Sequence, residues 1–142
     1  MKYNQIIITT ILLICSFSTS IADDEAREYV QMPDKMQQHM LSNMRDHLVA
    51  INEILISMAN GEMDKAAETA EMRLGMSSLE THGAEHMAKF MPAGMRQAGT
   101  SMHKAASRFA LKAQEGEVLP AYAALSGITS ACIACHSAYR IR

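Results

Sequence analysis

The sequence predicts an all-α protein, an antiparallel four-helix bundle, and three observations support this fold class. Of the 142 residues, 49% are hydrophobic but only 5% are aromatic, and 13 are methionines. The apolar side chains available for a core are therefore mainly Met, Leu, Ile and Ala, which favour helices over strands. Seven glycines and three prolines are too few turn-forming residues for a many-stranded sandwich. Four stretches with helical periodicity follow one another with short connections, which make neighbouring helices antiparallel.

Residues 1–22 predict a secretory signal peptide, and residues 23–142 predict one exported domain. A lysine precedes an apolar stretch over residues 6–17, and Ser20 and Ala22 place small side chains at the two positions that a signal peptidase reads. A transmembrane helix needs about 20 apolar residues, and this stretch is shorter. We therefore expect a signal peptide that is removed on export, with no membrane span in the chain that remains.

The charge and the pattern of reactive side chains exclude two classes of function. The chain carries 13 basic and 15 acidic residues, a net charge of −2, so it lacks the basic stripe of a nucleic-acid-binding protein. No general acid/base pair or nucleophile triad stands out in the sequence, so we do not predict an enzyme.

The first helical stretch begins near Pro33, which suits the first turn of a helix, and ends at Asn60 and Gly61, a natural helix stop. One face carries the spacing 4, 3, 4, 3, 4 of packed helices, over Met40, Met44, His47, Ile51, Ile54 and Met58. Residues 23–32, ahead of this stretch, are expected to be a loosely held leader.

The second and third stretches are also helical by periodicity. The second runs from about residue 62 to residue 90, with Gly75 and Gly83 as weak points. The third begins at Pro92 and ends near Gly116, and its buried face is predicted at the spacing 3, 4, 3, 4 over Met95, Ala98, Met102, Ala105 and Phe109.

The fourth stretch ends in Cys132-Ile133-Ala134-Cys135-His136. Its predicted inward face, which places Cys132 and His136 on the buried side, consists of Val118, Tyr122, Leu125, Thr129, Cys132, His136 and Tyr139. A Cys-x-x-Cys-His motif is the covalent attachment signature of c-type haem. Two cysteines three apart on a helix share one face, so each thiol can add to one haem vinyl group. The next residue then offers an imidazole nitrogen to the iron. The motif predicts one haem c, held by Cys132 and Cys135, with His136 as the proximal ligand.

Three other interpretations of the motif are weaker. A thioredoxin-like Cys-x-x-Cys requires a βαβ context, which is missing. A structural zinc site requires four ligands, and the sequence holds no second Cys-x-x-Cys. A disulfide suits an exported protein but gives no reason for the adjoining histidine.

The stretch over residues 132–140, in which the motif is followed by Ser-Ala-Tyr-Arg on the last of four helices, resembles the cytochrome c′ family. The resemblance implies a periplasmic haem protein of a Gram-negative bacterium, a redox partner protein or a small gas as its partner, and frequent association as a homodimer. It places Tyr139 and Arg140 after the proximal ligand, with Arg140 one turn beyond His136, so that the Arg140 cation lies near the proximal face of the haem.

In this family the residue on the distal side of the iron comes from the first helix. The stretch from Met40 to Arg45 is similar to the Met-x-x-Asn-x-Arg stretch of methionine-ligated, low-spin members. The resemblance therefore implies Met40 as the distal ligand, with Met44 one turn later as the alternative, and Arg45 near a haem propionate. His47 lies on the same seam, and a lone seam histidine is more often a core residue than a ligand. Thioether ligation raises the reduction potential, which favours single-electron transfer.

Two alternatives to electron transfer remain open. An open or displaceable distal site gives a five-coordinate protein that binds NO or CO. A copper-binding bundle is the other alternative, since His82 and His86 lie four residues apart on the predicted second helix, close to several methionines. Thioethers and imidazoles are ligands that suit copper, especially Cu(I).

Overall fold

The computed structural model describes residues 26–142, and this part of the chain is mostly helical. The all-α prediction is confirmed; the proposed signal peptide over residues 1–22 lies outside the described residues. The helices and strands follow in the order β1 (Glu28–Tyr29), α1 (Asp34–Ala59), α2 (Met63–Arg73), α3 (Ala84–Ala88), α4 (Ala93–Gln114), α5 (Val118–Ala138) and β2 (Tyr139–Arg140). The long helices pack in chain order, α1 on α2, α2 on α4 and α4 on α5.

The limits of α1 and its buried face agree with the sequence. The helix starts directly after Pro33, and it ends before Asn60 and Gly61, whose φ is +77°. A positive φ strains any residue with a Cβ, so Gly61 is the residue that lets the chain turn into α2. Of the six residues predicted on the packed face of this helix, from Met40 to Met58, four are buried and two are half-buried.

The prediction of one helix over residues 62–90 is wrong. Helix α2 ends at Arg73, a short 3₁₀ turn follows at Met76–Ser78, and the five-residue α3 starts only at Ala84. The breaks fall at the two predicted weak points. Gly75 has an extended backbone, and a Cβ there would lie 2.7 Å from the carbonyl oxygen of Glu71. Gly83 is left-handed, with φ +62°.

Most of the buried surface lies between α1, α2, α4 and α5 in one cluster, which we call the alanine core. More than half of its buried members are alanines: Ala50, Ile54, Met58, Ala66, Ala67, Ala70, Leu74, Met102, Ala105, Ala106, Phe109, Ala110, Ala113, Ala121, Leu125 and Ile128. Small side chains let the helix backbones approach closely. At Gly127 on α5, a Cβ would already be in van der Waals contact with the Cβ of Ala105 on α4, at 3.6 Å.

The predicted inward face of α5 is wrong by about one residue. Ala121, Leu125 and Ile128 are buried, whereas Val118, Tyr122 and His136 are exposed and Cys132 is half-buried. Leu125 is the predicted residue that is buried, and Ala121 is buried in place of its larger neighbour Tyr122. Among the described residues α5 alone is long and apolar enough to cross a membrane by length and composition, and little of it is buried.

The two ends of the described chain meet at one end of the molecule. Strand β1 pairs in parallel with β2, Glu28 opposite Tyr139 and Tyr29 opposite Arg140, and the Val30 amide donates to the Arg140 carbonyl at 2.8 Å. The buried Val30 shows that this part of residues 23–32 is not a loosely held leader, contrary to expectation. The pairing, which we call the terminal clasp, fixes the C-terminal tail just after the Cys-x-x-Cys-His motif.

A second, smaller apolar cluster lies beside the terminal clasp, and we call it the methionine cluster. Its buried members are Val30, Met40, Met87 and Met95, and its half-buried members are Met32, Met36, Met44, Met91, Cys135, Tyr139 and Ile141.

Candidate functional site

A pocket of about 330 Å³ opens between α1, the start of α4 and the C-terminal end of α5. It brings together residues that the sequence analysis singled out at opposite ends of the chain. Its walls consist of Arg27, Met40, Leu41, Met44, Met95, Cys135, His136, Tyr139, Arg140, Ile141 and Arg142.

The two motif cysteines lie at the boundary between the two apolar clusters. Both are free and half-buried. Cys135 lines the pocket and packs against the methionine cluster, while Cys132 packs against the alanine core and does not line the pocket. Burial raises the pKa of both thiols, and the nearby Cys132 raises that of Cys135 further. Both side chains therefore stay protonated at neutral pH.

His136 lies in the last turn of α5 with its side chain on the pocket wall. The residue is exposed, so the imidazole is accessible from the pocket. Its carbonyl oxygen accepts a hydrogen bond from Nη1 of Arg27 at 3.5 Å, which ties the motif to the N-terminal end of the described chain.

Helix α1 supplies the opposite wall. Met40 is only 5% exposed and Met44 is half-buried, and both line the pocket. Met95, near the start of α4, adds a third thioether. The sequence placed Met95 on a buried face, but periodicity gave no sign that this face meets the end of α5.

Three arginines line the pocket, and Arg140 is the one with an unpartnered buried nitrogen. Its Nε is buried without a hydrogen-bond partner in the structure, and its guanidinium lies 5.1 Å from the ring centre of Tyr29. Arg27 and Arg142 also line the pocket. Arg45 is exposed and is not among the lining residues, so the expectation that it reaches this site gains no support.

The side chains around the pocket fit a haem c. The thiol of Cys135 and the imidazole of His136 line the pocket, and thioethers line it from α1 and α4; the second free thiol, Cys132, lies one turn earlier on α5, outside the lining. The unpartnered Nε of Arg140 provides a donor for an anionic group such as a haem carboxylate.

The structure separates the histidine pair that suggested copper. His82 lies in the turn before α3 and is buried, whereas His86 lies within α3 and is exposed. The left-handed Gly83 between them breaks the helical register, so the expectation of two imidazoles on one helical face is wrong. Within residues 26–142, no group of three or more histidine, cysteine, aspartate or glutamate side chains is arranged to hold a metal ion.

Three buried histidines form a cluster that sequence reasoning missed. His47, His82 and His103 are each 8% exposed, and their ring centres lie 4.7 to 6.2 Å apart. The seam position of His47 was visible in the periodicity of α1. The partners were not, because His82 reaches the cluster only through the breaks at Gly75 and Gly83.

Comparisons with protein-family models, with curated proteins and with solved structures return no match for this chain.

Proposed function

We propose that this chain is a c-type cytochrome: an antiparallel four-helix bundle of α1, α2, α4 and α5 with one covalently attached haem c, which transfers single electrons in the periplasm. The observation that carries the proposal is the composition of the pocket. It joins Cys135 and His136 at the end of α5 with Met40 on α1. The chemistry of the Cys-x-x-Cys-His motif supplies the attachment and the proximal ligand.

Different residues of the Cys-x-x-Cys-His motif would attach the haem and bind its iron. Cys132 and Cys135 would attach it through thioether bonds, and His136 would bind the iron through its imidazole. When bound, the haem iron supplies the ferric and ferrous states between which an electron is exchanged. The thiols are protonated at neutral pH because burial raises their pKa, so each brings both the sulfur and the proton that addition to a vinyl group requires.

The distal wall determines whether electron transfer or gas binding is favoured. Met40 is buried, so its thioether keeps water away from that side of the pocket and can serve as a soft sixth ligand. Met44, one turn later, and Met95 on α4 are the other thioethers on the wall. Arg140 would hold a haem carboxylate with its unpartnered Nε.

The test is to produce the full chain in a bacterium that attaches c-type haem and to measure the intact mass and the optical spectrum of the exported protein. We expect one covalently bound haem and a low-spin ferric spectrum with a weak methionine-to-iron band. The Cys132→Ser/Cys135→Ser double variant should carry no covalent haem. A bare polypeptide from the wild-type gene overturns the proposal. A high-spin spectrum, with CO binding to the reduced protein, would contradict electron transfer and support gas binding as the function.

Substitution of Met40 assigns the distal ligand. Met40→Ala should convert the iron from low spin to high spin, whereas Met44→Ala should leave it low-spin. Met72→Ala is the matched control, since Met72 is an exposed methionine on α2, away from the pocket. Conversion by Met44→Ala instead would move the ligand to Met44, and no conversion by either would overturn ligation by a methionine of α1.

A further inference from the structure

The histidine cluster is assembled from three separate parts of the chain. His47 comes from α1, His103 from α4, and His82 from the turn before α3. The ring centres of His47 and His82 are 4.7 Å apart, those of His82 and His103 are 5.5 Å apart, and those of His47 and His103 are 6.2 Å apart. At these distances, a positive charge on one ring is felt strongly by the other two.

The hydrogen bonds around the cluster suit neutral rings. Nδ1 of His103 lies 2.7 Å from the carbonyl oxygen of Leu74, which can only accept, so Nδ1 carries the proton. The hydroxyl of Ser78 donates to the Gly75 carbonyl at 2.7 Å and leaves its lone pairs for Nδ1 of His82 at 3.3 Å. One nitrogen of His82 and one of His103 are thus already protonated, and Nε2 of His47 is buried without a hydrogen-bond partner, so an added proton would have to enter a buried site.

His82 is also the point at which the connection between α2 and α4 is fixed to α1. Its carbonyl oxygen accepts hydrogen bonds from Nε2 of His39 at 2.9 Å and from Nδ2 of Asn43 at 3.0 Å. We call residues 75–92 the bridging segment. Few of its side chains are buried, namely Ser78 and His82 beside the histidine cluster and Met87 in the methionine cluster.

The charged groups near the cluster would stabilise an additional positive charge on its imidazoles only weakly. Asp46 on α1 faces His47 and His82, but it is paired with Arg73 at the end of α2, whose hydrogen bond lowers the pKa of Asp46. His39 on α1 is the other titratable group facing His82. Burial, together with smaller contributions from His82 and His103, lowers the pKa of His47 to about 4. Burial and His103 also lower the pKa of His82.

We propose that His47, His82 and His103 form a proton-operated latch: the neutral cluster holds the bridging segment on α1 and α4, and proton uptake at mildly acidic pH releases it. A positive charge on His47 or His82 would destabilise the closed state, because the charged ring would be buried close to two further imidazoles. The carboxylate of Asp46 would offset this charge little, since it is already paired with Arg73. Release would also withdraw Met87 from the methionine cluster, to which Met40 belongs.

The direction of the pH effect follows from the lowered pKa. An imidazole freed by opening returns to an ordinary pKa near 6.5, so the open state binds protons more readily than the closed state. The latch is therefore fully stable above about pH 6.5 and weakens as the pH falls from there towards 4. Between pH 7.5 and pH 5.0, His47 alone should raise the opening constant about 30-fold, and His82 acts in the same direction.

Hydrogen–deuterium exchange of the full exported chain tests the latch without reference to any cofactor, because it measures backbone amides. The informative amides are those of His82 and Met87, which donate to the carbonyls of Ser78 and Gly83. After correction for the intrinsic pH dependence of exchange, their opening constant should rise about 30-fold from pH 7.5 to pH 5.0. Amides in the middle of α4 should change far less over the same range.

Variants at the histidines separate the latch from a general acid effect. His47→Gln should remove most of the pH dependence at His82 and Met87, and His82→Gln provides a second test should the first variant fold poorly. His86→Gln is the matched control, because His86 lies on the same segment but is exposed; it should keep the full pH response. An opening constant that is equal at both pH values, or an equal loss in His86→Gln, would overturn the latch.

Discussion

The alanine core and the methionine cluster bury apolar surface in different ways. The alanine core is built from small side chains around Phe109, and the helix backbones come close together in it. The methionine cluster uses long, flexible thioethers and lies beside an open pocket. Small side chains leave few alternative packings and so define the positions of the helices. Methionines can adjust to a new surface, which suits the end of the molecule where we place the haem.

The largest effect on stability is expected at Phe109, the largest fully buried side chain of the alanine core. Phe109→Ala should lower the free energy of unfolding by about 3–5 kcal/mol, because closely packed alanines cannot collapse into the cavity. Urea denaturation measures this change. Leu111→Ala on the same helix is the control, since Leu111 is 62% exposed and should change stability little. A similar loss in both variants would contradict the role given to this core.

A smaller effect is expected at two glycines of α4, where the same substitution should change stability by different amounts. At Gly94 a Cβ would clash with Oη of Tyr139, which packs against the methionine cluster, whereas at Gly99 no neighbouring atom lies within 4 Å of the added Cβ. Gly99→Ala should gain up to about 1 kcal/mol from helix propensity, and Gly94→Ala should be less stable than Gly99→Ala by about 1 kcal/mol or more. Tyr139→Phe should rescue Gly94→Ala, and two glycine variants of equal stability would argue against the contact.

The smallest effect is expected at Arg73, which joins α2 to Asp46 and Glu53 of α1. These groups are partly exposed, so Arg73→Gln should cost about 0.5–1 kcal/mol at neutral pH. Because Arg73 lowers the pKa of Asp46, this stabilisation is present above pH 3.8, the ordinary value for aspartate, and is lost as the pH falls below it. Chemical unfolding of both proteins at pH 7 and pH 3 should show the difference shrinking at the lower pH. A constant difference would assign the effect to packing.

The sequence was sufficient for the buried faces of α1 and α4, because apolar side chains recur there at a regular helical spacing. It was insufficient for α5, whose residues are apolar almost all round, so that periodicity does not identify the buried face. There the contact is decided by small residues, Ala121 and Gly127, which a pattern of large side chains overlooks. The breaks at Gly75 and Gly83 were visible as weak points, but the path of the chain between them was not.

The candidate site was predictable where it rests on local chemistry. The motif from Cys132 to His136 could be identified from spacing alone, and Met40 from its similarity to a family pattern. The contributions of Met95 and Arg27 could not be foreseen, because they depend on how distant segments meet in three dimensions. The same reason hid the histidine cluster, whose members are brought together by a turn that the helical pattern did not contain.

The terminal clasp can form only after the rest of the described chain has been synthesised, which sets an order for folding. Arg27 and His136 are 109 positions apart in the chain, and β1 cannot pair until the final residues have been synthesised. The helices of the alanine core can therefore assemble while the rim of the pocket is still unfinished. On the function proposed above, the haem would be inserted in that interval, before the two ends of the chain join.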